Sequence, residues 1–263
     1  MIRLHKFGGH QSFPTDWDQK YATESTAADN VAAYAGQPFV QTIVRYLRVG
    51  QRVLDAGCGT GGLLRFLKQR GGDVTGVDTS PAAVELLKRA APDIPVHAAS
   101  IERLPFPDAL FDAYLAIGSW EYLPVGPEPA AREAARVLRD GGLAFIEVPY
   151  RNLLRRCVYL PGKRVEYLIK KAAGRQPQFA HHIFTRAELE ELLRKHRFEI
   201  LLVQPHDLPE PDRHYGLWVD WPFFRGGTHY QLNVLGRLAK TLGNALSPWT
   251  IATGMFIVAR KTA

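Results

Sequence analysis

The sequence predicts an α/β fold, an open, doubly wound, mostly parallel sheet flanked by helices. Three observations predict it. Segments of strand character alternate with segments of helical period between residues 52 and 148, the order that parallel crossover connections produce. The first strand runs into a glycine-rich turn, Val53-Leu54-Asp55-Ala56-Gly57-Cys58-Gly59-Thr60-Gly61, and then into an apolar helical run. The second strand, Asp73-Val74-Thr75-Gly76-Val77-Asp78, ends on an acid.

Residues 1–36 precede this pattern and form an N-terminal cap region, with an aromatic and acidic stretch from Asp16-Trp17-Asp18 to Tyr21. The cofactor-side core then runs from 37 to 148. Apolar positions at 39, 40, 43, 44 and 47 predict a helix over 37–48. Strand 52–55 follows, and its turn exposes N–H groups where the backbone can approach a ligand too closely for any side chain. Glycines at 57, 59, 61 and 62 do not match Gly-x-Gly-x-x-Gly, and no Gly-Lys-Ser/Thr follows, which sets aside a phosphate-binding Walker loop. Helix 62–70 leads into strand 73–78, whose terminal Asp78 is spaced from Gly57 as an acceptor for ribose hydroxyls would be. Ser80 as N-cap and Pro81 at the first helical position open helix 81–90. Strands 96–100 and 111–117, helix 127–138 and strand 142–148 complete the core. Gly57, Asp78, Ser100 and Ile117 thus fall at or beside strand C-termini, where ligands bind in open α/β sheets.

Beyond 148 the spacing changes. Residues 149–184 are a long connection, helical in part, with Leu153, Leu154, Val158, Val165, Leu168 and Ile169 as apolar positions. Thr185-x-x-Glu188 is a capping box that starts helix 186–196, and strand 198–204 follows. A second insertion, 205–251, holds Tyr215, Trp218, Trp221, Phe223, Phe224 and Tyr230, and then an amphipathic helix over 232–246. The seventh strand is 252–259. All of this is read as one domain over 1–263, in which 185–204 and 252–263 finish the sheet and the two insertions set substrate choice.

Four segments together resemble the class I S-adenosylmethionine-dependent methyltransferases of the broad small-molecule group: Val53–Gly61; Val74–Ser80; Ala99–Phe106 with Phe111-Asp112-Ala113; and Leu138-Arg139-Asp140-Gly141-Gly142 before strand 143–148. The resemblance implies a Rossmann-like seven-stranded sheet whose last strand enters antiparallel, with helical and aromatic lid segments inserted. It implies S-adenosyl-L-methionine as cofactor. Asp55, with Gly57, Cys58, Gly59 and Gly61, would bracket its methionine part, Asp78 would hold the ribose, and Thr79 would lie against the adenine. Ile101 would offer its backbone N–H to the adenine ring, and Ile117 would lie at the end of the fourth strand. The family often has aspartate where this chain has Ser100, and a Glu-His pair where it has Glu121-Tyr122. The stretch around Trp17 would help close the site.

The implied activity is methyl transfer to a small, partly apolar acceptor, with oxygen preferred. Nitrogen or carbon methylation, RNA methylation and a non-catalytic cofactor-binding relative are the alternatives. The sulfonium already carries an activated methyl group, so the protein must orient reactants and exclude water. A hydroxyl nucleophile gains from a base, and the candidates to border the reacting atoms are Tyr150, His181, His182 and His206. No metal site is expected, because no His, Cys or Asp cluster has ligand spacing. Cys58 and Cys157 form no disulfide framework, and Cys58 is read as packing in the turn.

The formal charge of +7 lies wholly in the second half. Residues 1–150 carry 15 Lys/Arg and 17 Asp/Glu, a net of −2, whereas 151–263 carry 18 and 9, a net of +9. Such a balance suits an anionic or lipid-like small molecule, or a membrane surface. Nucleic acid is not expected, since only Tyr159 and Tyr167 interleave the basic stretch 151–175. With no leader-like apolar run at its start and no segment of 18 apolar residues, the expected location is cytoplasmic, with peripheral membrane contact as the variant. The residues carry no signal of oligomeric state.

Overall fold

In chain order the secondary structure is β1 (Ile2–Phe7), α1 (Pro38–Tyr46), β2 (Arg52–Ala56), α2 (Gly62–Gln69), β3 (Asp73–Asp78) and α3 (Pro81–Ala90). Then come β4 (Val96–Ala98), β5 (Phe111–Ile117), α4 (Glu128–Val137), β6 (Leu138–Pro149), α5 (Leu160–Ala172) and β7 (Pro177–Ile183). The chain finishes with α6 (Arg186–Lys195), β8 (Phe198–His206), α7 (Tyr215–Asp220), α8 (Val234–Leu246) and β9 (Gly254–Lys261). The computed structural model describes residues 1–7, 17, 21 and 31–263. The rest of the N-terminal region, Asp16 and Asp18 included, lies outside the described residues.

Seven strands form one sheet in the order β4-β3-β2-β5-β6-β9-β8. Pairs from β4 to β6 are parallel, and β9 lies antiparallel between β6 and β8. The strand order reverses between β2 and β5, which opens a crevice at their C-terminal ends. Side-chain alternation along the central strands divides the core in two. On one face Val53, Ala113, Leu115 and Phe145 meet α1, α2 and α3 through Ile43, Leu64 and Leu87. On the other Leu54, Tyr114, Ala116 and Ile146 meet α4 and α6 through Ala130, Ala134, Leu189 and Leu193. The predicted doubly wound sheet, with its antiparallel last strand, is the observed one.

Local signals placed most elements correctly. Ser80 caps α3, its Oγ accepting from the Ala83 N–H at 3.2 Å. Thr185 and Glu188 form the predicted capping box on α6. The predicted strand 96–100 stops at Ala98, since as an edge strand it is paired only to β3. The predicted helix 127–138 ends at Val137 because Leu138 already pairs with Phe111 in the sheet. The helix expected over 232–246 starts at Val234, where Asn233 caps it by accepting from the Gly236 N–H at 2.9 Å.

A second, two-stranded sheet was not anticipated. Strand β1 pairs antiparallel with β7, with Ile2 opposite Ile183 and Arg3 opposite His182. The connection 149–184 is therefore part helix and part strand, with β7 held by a partner more than 170 residues away. The two insertions are tied to each other by a buried ion pair, Arg155 Nε to Asp220 Oδ2 at 2.6 Å. Arg155 also donates to the carbonyls of Tyr150 and Thr253, both at 3.0 Å. A buried guanidinium bonded on three sides orients its neighbours, and removing any partner leaves a costly unpaired charge. No helix among the described residues is long and apolar enough to cross a membrane.

Candidate active site

The glycine turn between β2 and α2 has the backbone its sequence calls for. Gly57, Gly59 and Gly61 all adopt positive φ, of 93°, 51° and 77°. A Cβ added at Gly57 would sit 2.6 Å from the Ser119 Cβ, and one at Gly59 would sit 2.8 Å from the Tyr21 hydroxyl. One at Gly61 would collide with Leu87. The N–H groups of Gly57 and Cys58 are both spent on the Val77 carbonyl, at 2.8 and 3.0 Å, which fastens the turn to β3. Cys58 itself packs against the core beside Gly76, and burial pushes its thiol well above its ordinary value.

Asp78 organises this turn. Its Oδ2 accepts from the Gly59 N–H at 2.8 Å and its Oδ1 from the Ser80 N–H at 2.9 Å. Thr79 is exposed beside it. Ser100 is half-buried, accepts from the Glu102 N–H at 3.1 Å and donates to the Glu102 carboxylate at 3.4 Å. A carboxylate thus stands next to the position where the resembled family often has one. Ile101 is buried, and Ile117 ends β5 half-buried.

Asp55 lies beneath the turn, buried, with its carboxyl pushed up to about 7 by burial and then by the charge of Asp78. A cationic ligand beside Asp55 would favour its ionised form. Binding of S-adenosylmethionine at pH 6 is therefore expected to release about one proton, and at pH 8 almost none. Calorimetry in two buffers of different ionisation heat measures this directly. The same binding enthalpy in both buffers at pH 6 would remove Asp55 from contact with the cofactor's cationic part.

Beyond the turn, at the C-terminal ends of β5 and β6, two carboxyls converge. A Cβ added at Gly118 would lie 3.8 Å from both Glu121 Oε1 and Glu147 Oε2. Both carboxyls are raised above the usual carboxylate range, first by burial and, for Glu121, next by the charge of Glu147. Glu121 Oε2 and the nearby Ser119 Oγ are buried with no hydrogen-bond partner. Tyr122 borders the pair, and its phenol is pushed well up by burial, then by Glu121 and Tyr215. The Trp17 ring meets Tyr122 edge-on at 4.9 Å and stacks on Tyr21 at 6.0 Å. These rings wall the space between the glycine turn and the acid pair.

The four residues expected to border the reacting atoms fall in different places. His206, at the end of β8, stands beside Glu147 over Gly254, and its charge acts to lower the Glu147 pKa. His181 faces Tyr122 at 6.4 Å between ring centroids, and burial followed by Arg155 lowers it to about 4. His182 points to the opposite side of β7, where its Nε2 lies 3.1 Å from the Leu123 carbonyl and its ring packs on Phe179 and Phe184. Tyr150 packs edge-on against Trp249 at 5.0 Å. The structure therefore places His206 beside Glu147, His181 against Tyr122, His182 on the opposite side of β7 and Tyr150 against Trp249. Glu147 was missed as a candidate. Its one sequence signal is a lone acid in the apolar strand Phe145-Ile146-Glu147-Val148. Among the described residues no group of three or more His, Cys, Asp or Glu is placed to hold a metal ion.

A family model described as a methyltransferase domain matches residues 54–146. An uncharacterized methyltransferase of Mycobacterium tuberculosis is 41% identical over 92 residues, 35% of this chain and 37% of that protein. A ubiquinone biosynthesis O-methyltransferase of Paracidovorax citrulli is 28% identical over 177 residues, 64% of this chain and 71% of that protein. A solved S-adenosylmethionine-dependent methyltransferase from Methanosarcina mazei superposes with a TM-score of 0.58 at 22% identity, covering 84% of this chain and 97% of that one. The chain spans little more than a third of the length of the mycobacterial relative.

Proposed function

We propose that this chain, whose residues 54–146 match a methyltransferase domain, is an S-adenosylmethionine-dependent methyltransferase that methylates an oxygen of a small, partly apolar acceptor, with Glu147 as the base. The observation that carries this reading is the buried pair Glu121 and Glu147 at the ends of β5 and β6. Bound S-adenosylmethionine supplies a methyl group already activated by its sulfonium. The residues that would hold it are the glycine turn, Asp55, Asp78, Thr79, Ser100, Ile101 and Ile117. They fit such a ligand: the turn has no room for a Cβ at Gly57, Gly59 or Gly61, and the buried Asp78 carboxylate stands at the end of β3 beside it.

What remains for the protein is to orient the acceptor, exclude water and take a proton. A base is most effective when its pKa lies near the working pH. Burial moves Glu147 towards that range and moves His181 away from it, to about 4. The two shifts run in opposite directions, and that of Glu147 is the one that suits a base. In this reading the acceptor hydroxyl passes its proton to Glu147, while Glu121 shares a proton with the pair and keeps the site from holding two negative charges. Tyr122, His181 and the Trp17 ring wall the acceptor. The basic second half and a relative named for ubiquinone O-methylation support an anionic or apolar, oxygen-bearing acceptor.

A second reading, an amine acceptor, draws on the same two carboxyls, which would bind an ammonium if both were ionised. The direction of their shifts favours oxygen, because burial and mutual repulsion both disfavour the doubly ionised pair that an ammonium would need. Incubation with methyl-labelled S-adenosylmethionine and a panel of phenols, hydroquinones, hydroxy acids and amines separates the readings. Product carrying the label on oxygen is expected. Label found on nitrogen, or turnover of the amines alone, would assign the acid pair to ammonium binding.

A further inference from the structure

Helix α8 docks on the protein with its smallest residues. A Cβ added at Gly236 would lie 2.9 Å from the Phe224 carbonyl oxygen, and one at Gly243 would lie 2.7 Å from the Ile251 side chain. The opposite face carries Val234, Leu235, Leu238, Leu242 and Leu246, which are between 55% and 81% exposed. Burial of apolar surface would ordinarily turn the leucines inward and the glycines outward. Helix α5 repeats the arrangement. None of its residues is buried, and Val165, Leu168 and Ile169 are each more than half exposed. Of the exposed large apolar side chains among the described residues, all but Met1, Val49 and Val125 lie between Leu153 and Leu246. Tyr159 at the start of α5 meets Trp221 at 6.1 Å, and Trp221 meets the exposed Phe223 at 6.0 Å. The Phe223 carbonyl accepts from Asn233, the N-cap of α8, at 2.7 Å. The two apolar faces are therefore joined by an aromatic bridge.

We propose that the outward faces of α5 and α8, with Phe223 between them, seat this protein on the surface of an anionic lipid bilayer. Charge selects the lipid over the other occupants. Exposed Arg164 and Lys171 flank the apolar stripe of α5, and exposed Arg237 flanks that of α8. Residues 151–263 as a whole carry 18 basic and 9 acidic side chains. A basic rim around an apolar stripe suits insertion to the headgroup boundary, where leucines enter the acyl layer and cations meet lipid phosphates. A second copy would bring two basic rims together across a two-fold interface, which like charge opposes. An RNA would leave the leucine stripe uncovered. Part of the basic stretch is also spent internally, because Arg155 pairs with Asp220 while Lys163 and Lys170 both pair with Glu166.

The test needs neither cofactor nor acceptor, so its failure is distinguishable from failure of the proposed reaction. The full chain is sedimented with phosphatidylcholine vesicles and with mixed phosphatidylcholine–phosphatidylglycerol vesicles, at low and high salt. Binding to the mixed vesicles that weakens with salt is expected. The triple variant Leu235→Ser, Leu238→Ser and Leu242→Ser should keep the wild-type melting temperature, since these side chains are exposed, and lose at least about tenfold in vesicle affinity. Arg164→Glu with Lys171→Glu should lower binding to the anionic vesicles alone. Two results would overturn the proposal. One is no vesicle binding together with a concentration-dependent dimer that the triple variant abolishes, which assigns the stripe to a second copy. The other is vesicle binding unchanged in the triple variant.

Discussion

Asp78→Ala is expected to bind S-adenosylmethionine at least about a hundredfold more weakly than wild type, because it removes a charged acceptor that two ribose hydroxyls would share. The same change should also destabilise the fold. Both oxygens of Asp78 already hold buried backbone donors, the Gly59 N–H at 2.8 Å and the Ser80 N–H at 2.9 Å. Leaving a buried donor unpaired costs roughly 1–3 kcal/mol, so the variant should lose about 1–3 kcal/mol if one of the two is rescued by water. Asp78→Asn keeps one acceptor oxygen and turns an NH2 towards the other donor, so it should fall between wild type and alanine on both measures. Calorimetry with the cofactor, beside a urea titration of the free protein, separates the two roles. A variant that loses stability but binds with wild-type affinity would make Asp78 a purely structural clamp on the glycine turn.

Glu147→Gln should cut kcat by about a hundredfold to a thousandfold, the usual range for loss of a positioned base, with cofactor affinity unchanged. The pH behaviour gives a second readout. The folded-state pKa of Glu147 is raised, so between its ordinary value and that raised value the folded protein holds a proton that the unfolded chain has lost. Wild-type stability therefore falls as pH rises through this window, and the glutamine variant, which has no charge to bury, escapes the loss. The variant should be more stable than wild type at alkaline pH, with the advantage shrinking towards acid. Wild-type kcat should rise with pH as the carboxyl ionises, and this limb should vanish in Glu147→Gln. Full activity in Glu147→Gln, with an unaltered pH limb, would move the base elsewhere, to His206 first.

Much of the cofactor half was legible because its signals are local. The strand, the glycine turn and the acid that closes it lie within Val53–Asp78, and each glycine answers a backbone demand that nearby residues create. Ser80 with Pro81, and Thr185 with Glu188, announce helix starts for the same reason: a cap bonds only to the turn that follows it. Histidines drew attention as bases from their ordinary pKa, which carries no information about burial. His181 is lowered to about 4, while the overlooked Glu147 is raised. Adjacent histidines must point in different directions on any element, but only strand β7 showed which way each turns, His181 towards Tyr122 and His182 towards the Leu123 carbonyl.

The chain by itself determined the doubly wound sheet, the place of the cofactor turn and the uneven charge, because periodicity, caps and composition act over a few residues or over none. Only the tertiary structure decided which acids are buried together at the ends of β5 and β6, which partner β7 takes and which way α8 faces. The pKa of Glu147 depends first on its burial and then on the charges that His206 and Arg155 bring to it from separate elements. The pairing of β7 with β1 closes a loop of more than 170 residues. The amphipathic period of α8 was visible, but either face could have turned inward. Contact of Gly236 with Phe224 and of Gly243 with Ile251, closer than any larger residue permits, put the leucines outside.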